Sequence, residues 1–140
     1  HLLLSAALVF SAFHGLSYAH GNEHDGPPAA VPTTAVRAND AADALRQIKE
    51  GVDRLEQSLG AGKLDGIHEE TESLETLASL AREKATVDPA KRPRLDSAVR
   101  QTLAQLDQLH EAADSGDKTA ASAALGKLKG AVRLLESSLR

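Results

Sequence analysis

The sequence of 140 residues predicts an all-α fold, an antiparallel four-helix bundle running up-down-up-down, and three observations predict it. Beyond Asn39 the apolar residues recur at alternating steps of 3 and 4. Gly- and Pro-bearing breaks cut this pattern into four stretches of about 20 residues each. The residues between the apolar positions are mostly Glu, Gln, Lys, Arg, Asp and Ser, so each stretch has one apolar stripe and one wet face.

Taken in chain order, Leu2 to Phe13 is an apolar run, followed by a more polar stretch ending Ser17-Tyr18-Ala19. Small residues at Ser17 and Ala19 fit a secretory cleavage site, with cleavage before His20. A spanning helix wants about 20 apolar residues, and His14 and Gly15 interrupt this run, so residues 1–19 read as a cleaved signal and not as an anchor. Residues 20–39 carry Pro27, Pro28 and Pro32 and no helical period, and read as an extended, mobile tether. The bundle then occupies residues 40–140.

Its first stripe is Ala41, Leu45, Ile48, Val52, Leu55 and Leu59, and its second is Leu64, Ile67, Thr71, Leu74, Ala78 and Ala81. The third is Leu95, Val99, Thr102, Leu106, Leu109 and Ala113, and the fourth is Ala121, Leu125, Leu128, Val132, Leu135 and Leu139. Gly60-Ala61-Gly62 separates the first pair of helices, and Ser115-Gly116-Asp117 the last pair. Asp88-Pro89 is placed to cap the third helix, with Pro93 delaying its regular start to about Arg94. Four such helices bury their stripes against one another; two extended hairpins joined as a homodimer use the same pattern. A shift of 54 residues lays the first pair of stripes on the second, so a duplicated α-hairpin is expected. Alanine is nearly as common beyond Ala19 as Leu, Ile and Val together, so the core is thin. Gly126 and Gly130, one turn apart, are read as tight packing or as simple weakening of the fourth helix, about 1 kcal/mol per Gly.

Composition narrows the function. The 16 basic and 20 acidic residues leave a net charge of −4, against the basic patch of a nucleic-acid binder. Cysteine and methionine are absent, which removes thiolate sites, disulfides and a haem axial Met. Phe10, Phe13 and Tyr18 are the only aromatics, so nothing beyond the signal can stack on a base, sugar or flat cofactor. No nucleophile–base set or phosphate loop stands out, and the expectation is a protein that is not an enzyme.

Histidine is the side chain left with ligand range. Cleavage before His20 would place an amine and an imidazole on one residue, a bidentate chelate for Cu²⁺, Ni²⁺ or Zn²⁺, with His24 beside it. His20 and His24 are the favoured metal ligands. His68 and His110 lie roughly 8–10 Å up their helices from the adjoining turn, at 1.5 Å per residue, level with Glu56 and Ser122. All four directly follow a stripe residue and flank the core. If the bundle turns one way, His68 faces His110 and Glu72 can complete a metal site. If it turns the other way, Glu56 faces His68 as an ion pair and His110 faces Ser122. The acidic run Glu69, Glu70, Glu72 and Glu75 otherwise reads as a solvated helix face.

The HGNEHDGPP start after the signal, the Pro/Thr spacer, and phrases such as GKLDGIHEETESLETLASL resemble small periplasmic proteobacterial proteins that accompany heavy-metal efflux systems. The resemblance implies a periplasmic metal-handling accessory, with His20, His24 and His68 at the matching positions and an efflux component as partner. The architecture is also similar to cytochrome b562-type bundles, but the Met ligand and haem-packing aromatics are missing, so no haem is expected. A helical interaction or scaffold module without metal is the competing class.

Overall fold

Residues 35–140 are described by the computed structural model. Among them the chain forms four helices and no strand: α1 (Ala41–Gly60), α2 (Ile67–Lys84), α3 (Arg92–Asp114) and α4 (Lys118–Ser138). Local chemistry sets the ends. The Asp40 and Asp117 carboxylates cap α1 and α4 by accepting from the backbone N–H of Asp43 and Ala120 at 2.8 and 2.9 Å, which satisfies donors a helix start leaves orphaned. Both hairpin turns pass through a glycine in the left-handed region, Gly62 (φ 70°) and Gly116 (φ 73°), where a side chain would be strained.

The third helix departs from expectation at its start. Asp88 does not cap it. Its carboxylate accepts from Ala90 N at 2.8 Å within a preceding turn, and the helix begins at Arg92 with Pro93 in its first two positions. Pro is tolerated there because those N–H groups have no partner inside the helix, so it causes no delay.

Each helix packs on two neighbours: α1 on α2 and α4, α3 on α2 and α4. The stripes turn inward around one core, with Ile48, Leu55, Ile67, Leu74, Leu95, Leu106, Leu109, Leu128 and Leu135 fully buried. At the stripe ends Ala41, Leu45, Leu59, Leu64, Ala113 and Leu139 are only half-buried, while Ala44, Leu77, Ala98, Ala112, Ala124 and Ala131 join the core. The stripes are thus broader than a strict seam, as a globular bundle requires. Thr71 and Thr102 are buried but satisfied, each hydroxyl donating to a carbonyl of its own helix, His68 O at 2.8 Å and Ala98 O at 3.0 Å.

Close approach occurs where no pattern marked it. A Cβ on Gly51 would collide with Leu74 Cδ2 and lie 2.6 Å from Glu70 Oε1, so any larger residue there would force the buried Leu74 and the Glu70 side chains of α2 to shift. Gly126 and Gly130 have open space around them, and their effect is on helix propensity alone. Ahead of α1 the chain is already docked: Ala38 is buried, Val36 packs on the core, and Gln47 Nε2 donates to Arg37 O at 2.9 Å. No helix among the described residues is long and apolar enough to cross a membrane.

Candidate metal centre

His68 is the second residue of α2, and His110 stands one turn before the end of α3. Both follow a buried residue, Ile67 and Leu109, which places each imidazole on the rim of the core. Packing of α2 against α3 brings the rings to 4.2 Å between centroids, edge to face at 76°. Of the two arrangements open to the sequence, this is the one in which the histidines face each other. Glu56 is not opposite His68; it pairs with Lys129 of α4 at 2.7 Å.

A carboxylate from α3 completes the group. Asp114 Oδ2 lies 3.3 Å from His110 Nε2, and Asp114 Oδ1 lies 4.0 Å from His68 Nδ1. One donor atom from each of His68, His110 and Asp114 falls within 4.8 Å of the other two. Bonds of 2.0–2.2 Å at a tetrahedral ion put ligand atoms about 3.4 Å apart. The His110–Asp114 pair already has that separation, and the His68–Asp114 pair has to close from 4.0 Å to reach it. His68 is 53% exposed and His110 25% exposed, so the first is free to make that adjustment and the second is held by packing. Asp114 ends α3, where the helix dipole is negative and a cation is favoured.

Carboxylates continue along the same seam. Glu72 Oε1 stands 3.2 Å from His68 Nε2, on the side of the ring away from Asp114, and Glu72 does not join the converging donors. One turn further Glu75 is half-buried, and its carboxyl is held above the usual value. Burial is the main cause and Asp107 the next; the charge of His110 pulls the other way, Glu72 adds to the rise and His68 opposes it. The acidic run therefore is not one solvated face: Glu70 is engaged by Arg54 of α1 at 2.8 Å and Glu75 turns inward, while Glu69 and Glu72 remain exposed.

Of the sequence-predicted ligands, His68 and His110 are brought together, and Glu72 is adjacent but outside the donor group. His20 and His24 lie outside the described residues, as do residues 1–19, which read as a signal from the sequence. Asp114 was not anticipated, although its place four residues after His110 puts both on one helix face. No protein-family model, curated protein or solved structure matches the chain.

Proposed function

We propose that this protein is a non-enzymatic, exported helical accessory that binds a divalent transition-metal ion, Cu²⁺, Ni²⁺ or Zn²⁺, at the α2–α3 seam. The observation that carries this is the convergence of two imidazoles and one carboxylate from neighbouring helices, His68, His110 and Asp114. Two nitrogen donors favour these borderline ions over Mg²⁺ or Ca²⁺, which take oxygen. Three protein ligands on a half-exposed rim leave a coordination position open, which suits capture and hand-on better than a permanent structural ion. The signal reading of residues 1–19 supports a periplasmic setting, and the efflux resemblance supports a metal-transport component as partner.

The same reading includes the finer architecture, an antiparallel bundle built by duplicating one α-hairpin. Cross-helix pairs support the first part, since their numbers rise on one helix as they fall on the next: Lys49–Glu136 and Glu56–Lys129, His68–Asp114 and Arg82–Asp96. Burial supports the second. Ala44, Ile48, Val52 and Leu55 are buried, as are Ala98, Thr102, Leu106 and Leu109, each 54 residues on. The turns agree bond for bond: Ala61 N→Gln57 O, Gly62 N→Leu59 O and Lys63 N→Ser58 O recur as Ser115 N→Glu111 O, Gly116 N→Ala113 O and Asp117 N→Ala112 O.

Calorimetric titration of the folded chain with each of the three ions tests the function. The expected result is one ion per chain, with affinity lost by at least about 100-fold in a His68→Ala, His110→Ala double variant, since two of three ligands are gone. If deletion of residues 20–25 abolishes binding and the double variant retains it, the chelate is at the His20–His24 terminus. Absence of binding by all three ions would favour the scaffold class.

A further inference from the structure

We infer that Glu72 is a positioning residue for this centre and not one of its ligands: it holds His68 by the Nε2 side so that Nδ1 is the atom offered to the metal. This rests on the metal-binding reading above. The two nitrogens of an imidazole point away from each other, so one ring cannot serve Glu72 and an ion through the same atom. The structure has already divided them. Nε2 is 3.2 Å from Glu72 Oε1, Nδ1 is the atom nearest Asp114 at 4.0 Å, and His110 Nε2 approaches that same carboxylate at 3.3 Å. The nitrogens nearest Asp114 are therefore His68 Nδ1 and His110 Nε2, and Glu72 is outside the group of three residues.

A metal-bound imidazole is neutral, with its remaining nitrogen carrying the proton. A carboxylate on that N–H fixes the tautomer and ring orientation and makes the ligating nitrogen more basic. Glu72 Oε1 is at ion-pair distance from Nε2, 3.2 Å, and needs only a side-chain rotation on the exposed face of α2 to align with that N–H, since one turn of helix keeps the two side chains on one face. The Thr71 hydroxyl, donating to His68 O at 2.8 Å, fastens the backbone of the same first turn. His68 is the more exposed of the two imidazoles, and so the one that most needs an external partner to hold its rotamer. His110 has its ring against His68 and its own flank half-buried, and does not share that need.

The test is zinc binding to the full chain with ¹⁵N-labelled histidine, read by long-range proton–nitrogen correlation and by calorimetry. In the wild type, zinc should move the His68 Nδ1 resonance to its metal-bound position and leave Nε2 protonated. Glu72→Gln sits on an exposed helix face and preserves the helical circular dichroism. It should weaken zinc binding by about 10–100-fold, with Nδ1 still the bound atom at saturation. Asp114→Asn, which removes a ligand, should weaken it at least as much. A zinc-bound His68 signal at Nε2, or unchanged affinity in Glu72→Gln, overturns the role given to Glu72 and leaves the centre standing. If neither His68 nor His110 shifts with zinc in the wild type, the centre itself fails and this assignment with it.

Discussion

At one end of the α2–α3 seam Arg82 Nε donates to Asp96 Oδ1 at 2.7 Å, and Arg92 Nε stands 3.7 Å from the same oxygen. Arg92 also donates to the carbonyls of Arg82 and Ala85 at 3.0 and 3.3 Å, closing the end of α2 with cations where the helix terminus is negative. At the other end stand His68, Glu72, His110 and Asp114, with Glu75 and Asp107 further in along the same seam. Among the described residues no lysine or arginine forms an ion pair with Glu72, Glu75, Asp107 or Asp114. The two ends share one pair of helices and one continuous core, yet the first meets its carboxylate with arginines and the second meets its carboxylates with imidazoles alone. The difference teaches that candidate ligands can gather in so small a bundle without a pocket. They gather where the rim of a well-packed seam carries acceptors and imidazoles without the arginines that close the opposite rim.

The comparison breaks most readily at the core. Leu95 lies in the first turns of α3 and Leu109 near its end, and both are fully buried. Leu95→Ala and Leu109→Ala should each cost about 2–5 kcal/mol in urea unfolding. A much smaller loss at Leu109 would mean that the histidine end is loosely packed and that its rim geometry is not held. Next in size is the effect of metal. An ion that binds across α2 and α3 stabilises the fold by about 2.7 kcal/mol when free metal is 100 times Kd. Thermal unfolding with and without Zn²⁺ measures this, and a chelate confined to residues 20–25 would leave the unfolding temperature unchanged.

A smaller effect separates the two ends by pH. Glu75 is held above the usual carboxylate range by burial and by Asp107, so the folded chain binds its proton more tightly than the unfolded chain. The resulting penalty is present above the raised folded value and disappears below the ordinary value of 4.5. Glu75→Gln should therefore stabilise the protein at pH 7, by less than about 1 kcal/mol, and the gain should vanish towards pH 4. Asp96 has the opposite sign. Hydrogen bonding from Arg82 holds it below its ordinary value of 3.8, so its contribution is full above that value and is lost as pH falls through the folded one. Asp96→Asn should show the smallest change, a slight destabilisation at pH 7 that closes under acid, with zinc affinity unaltered. Denaturant melts at matched pH check both.

What the sequence determined by itself is the helical content, the four-part division and the inward faces. These follow from local chemistry: a 3–4 spacing leaves a helix one apolar side, Asp40 and Asp117 supply side-chain caps, and Gly62 and Gly116 supply the left-handed turns. It also singled out His68 and His110, because few other side chains here can ligate a metal, and it set them at one level along the bundle. Only the tertiary structure decided which helix faces met. A residue that follows a stripe position flanks the core and can turn to either neighbouring helix, so His68 facing His110 and His68 facing Glu56 satisfy the same pattern equally well. Docking of α2 on α3 chose the first, drew Asp114 into the group, and parted Glu72 from Asp114 on opposite nitrogens of one ring. The close seat of α1 on α2 at Gly51 was likewise invisible in the spacing, since it depends on Leu74 and Glu70 arriving from another helix. Periodicity specifies which side of each helix leaves water; the partner it meets is set by how all four pack at once.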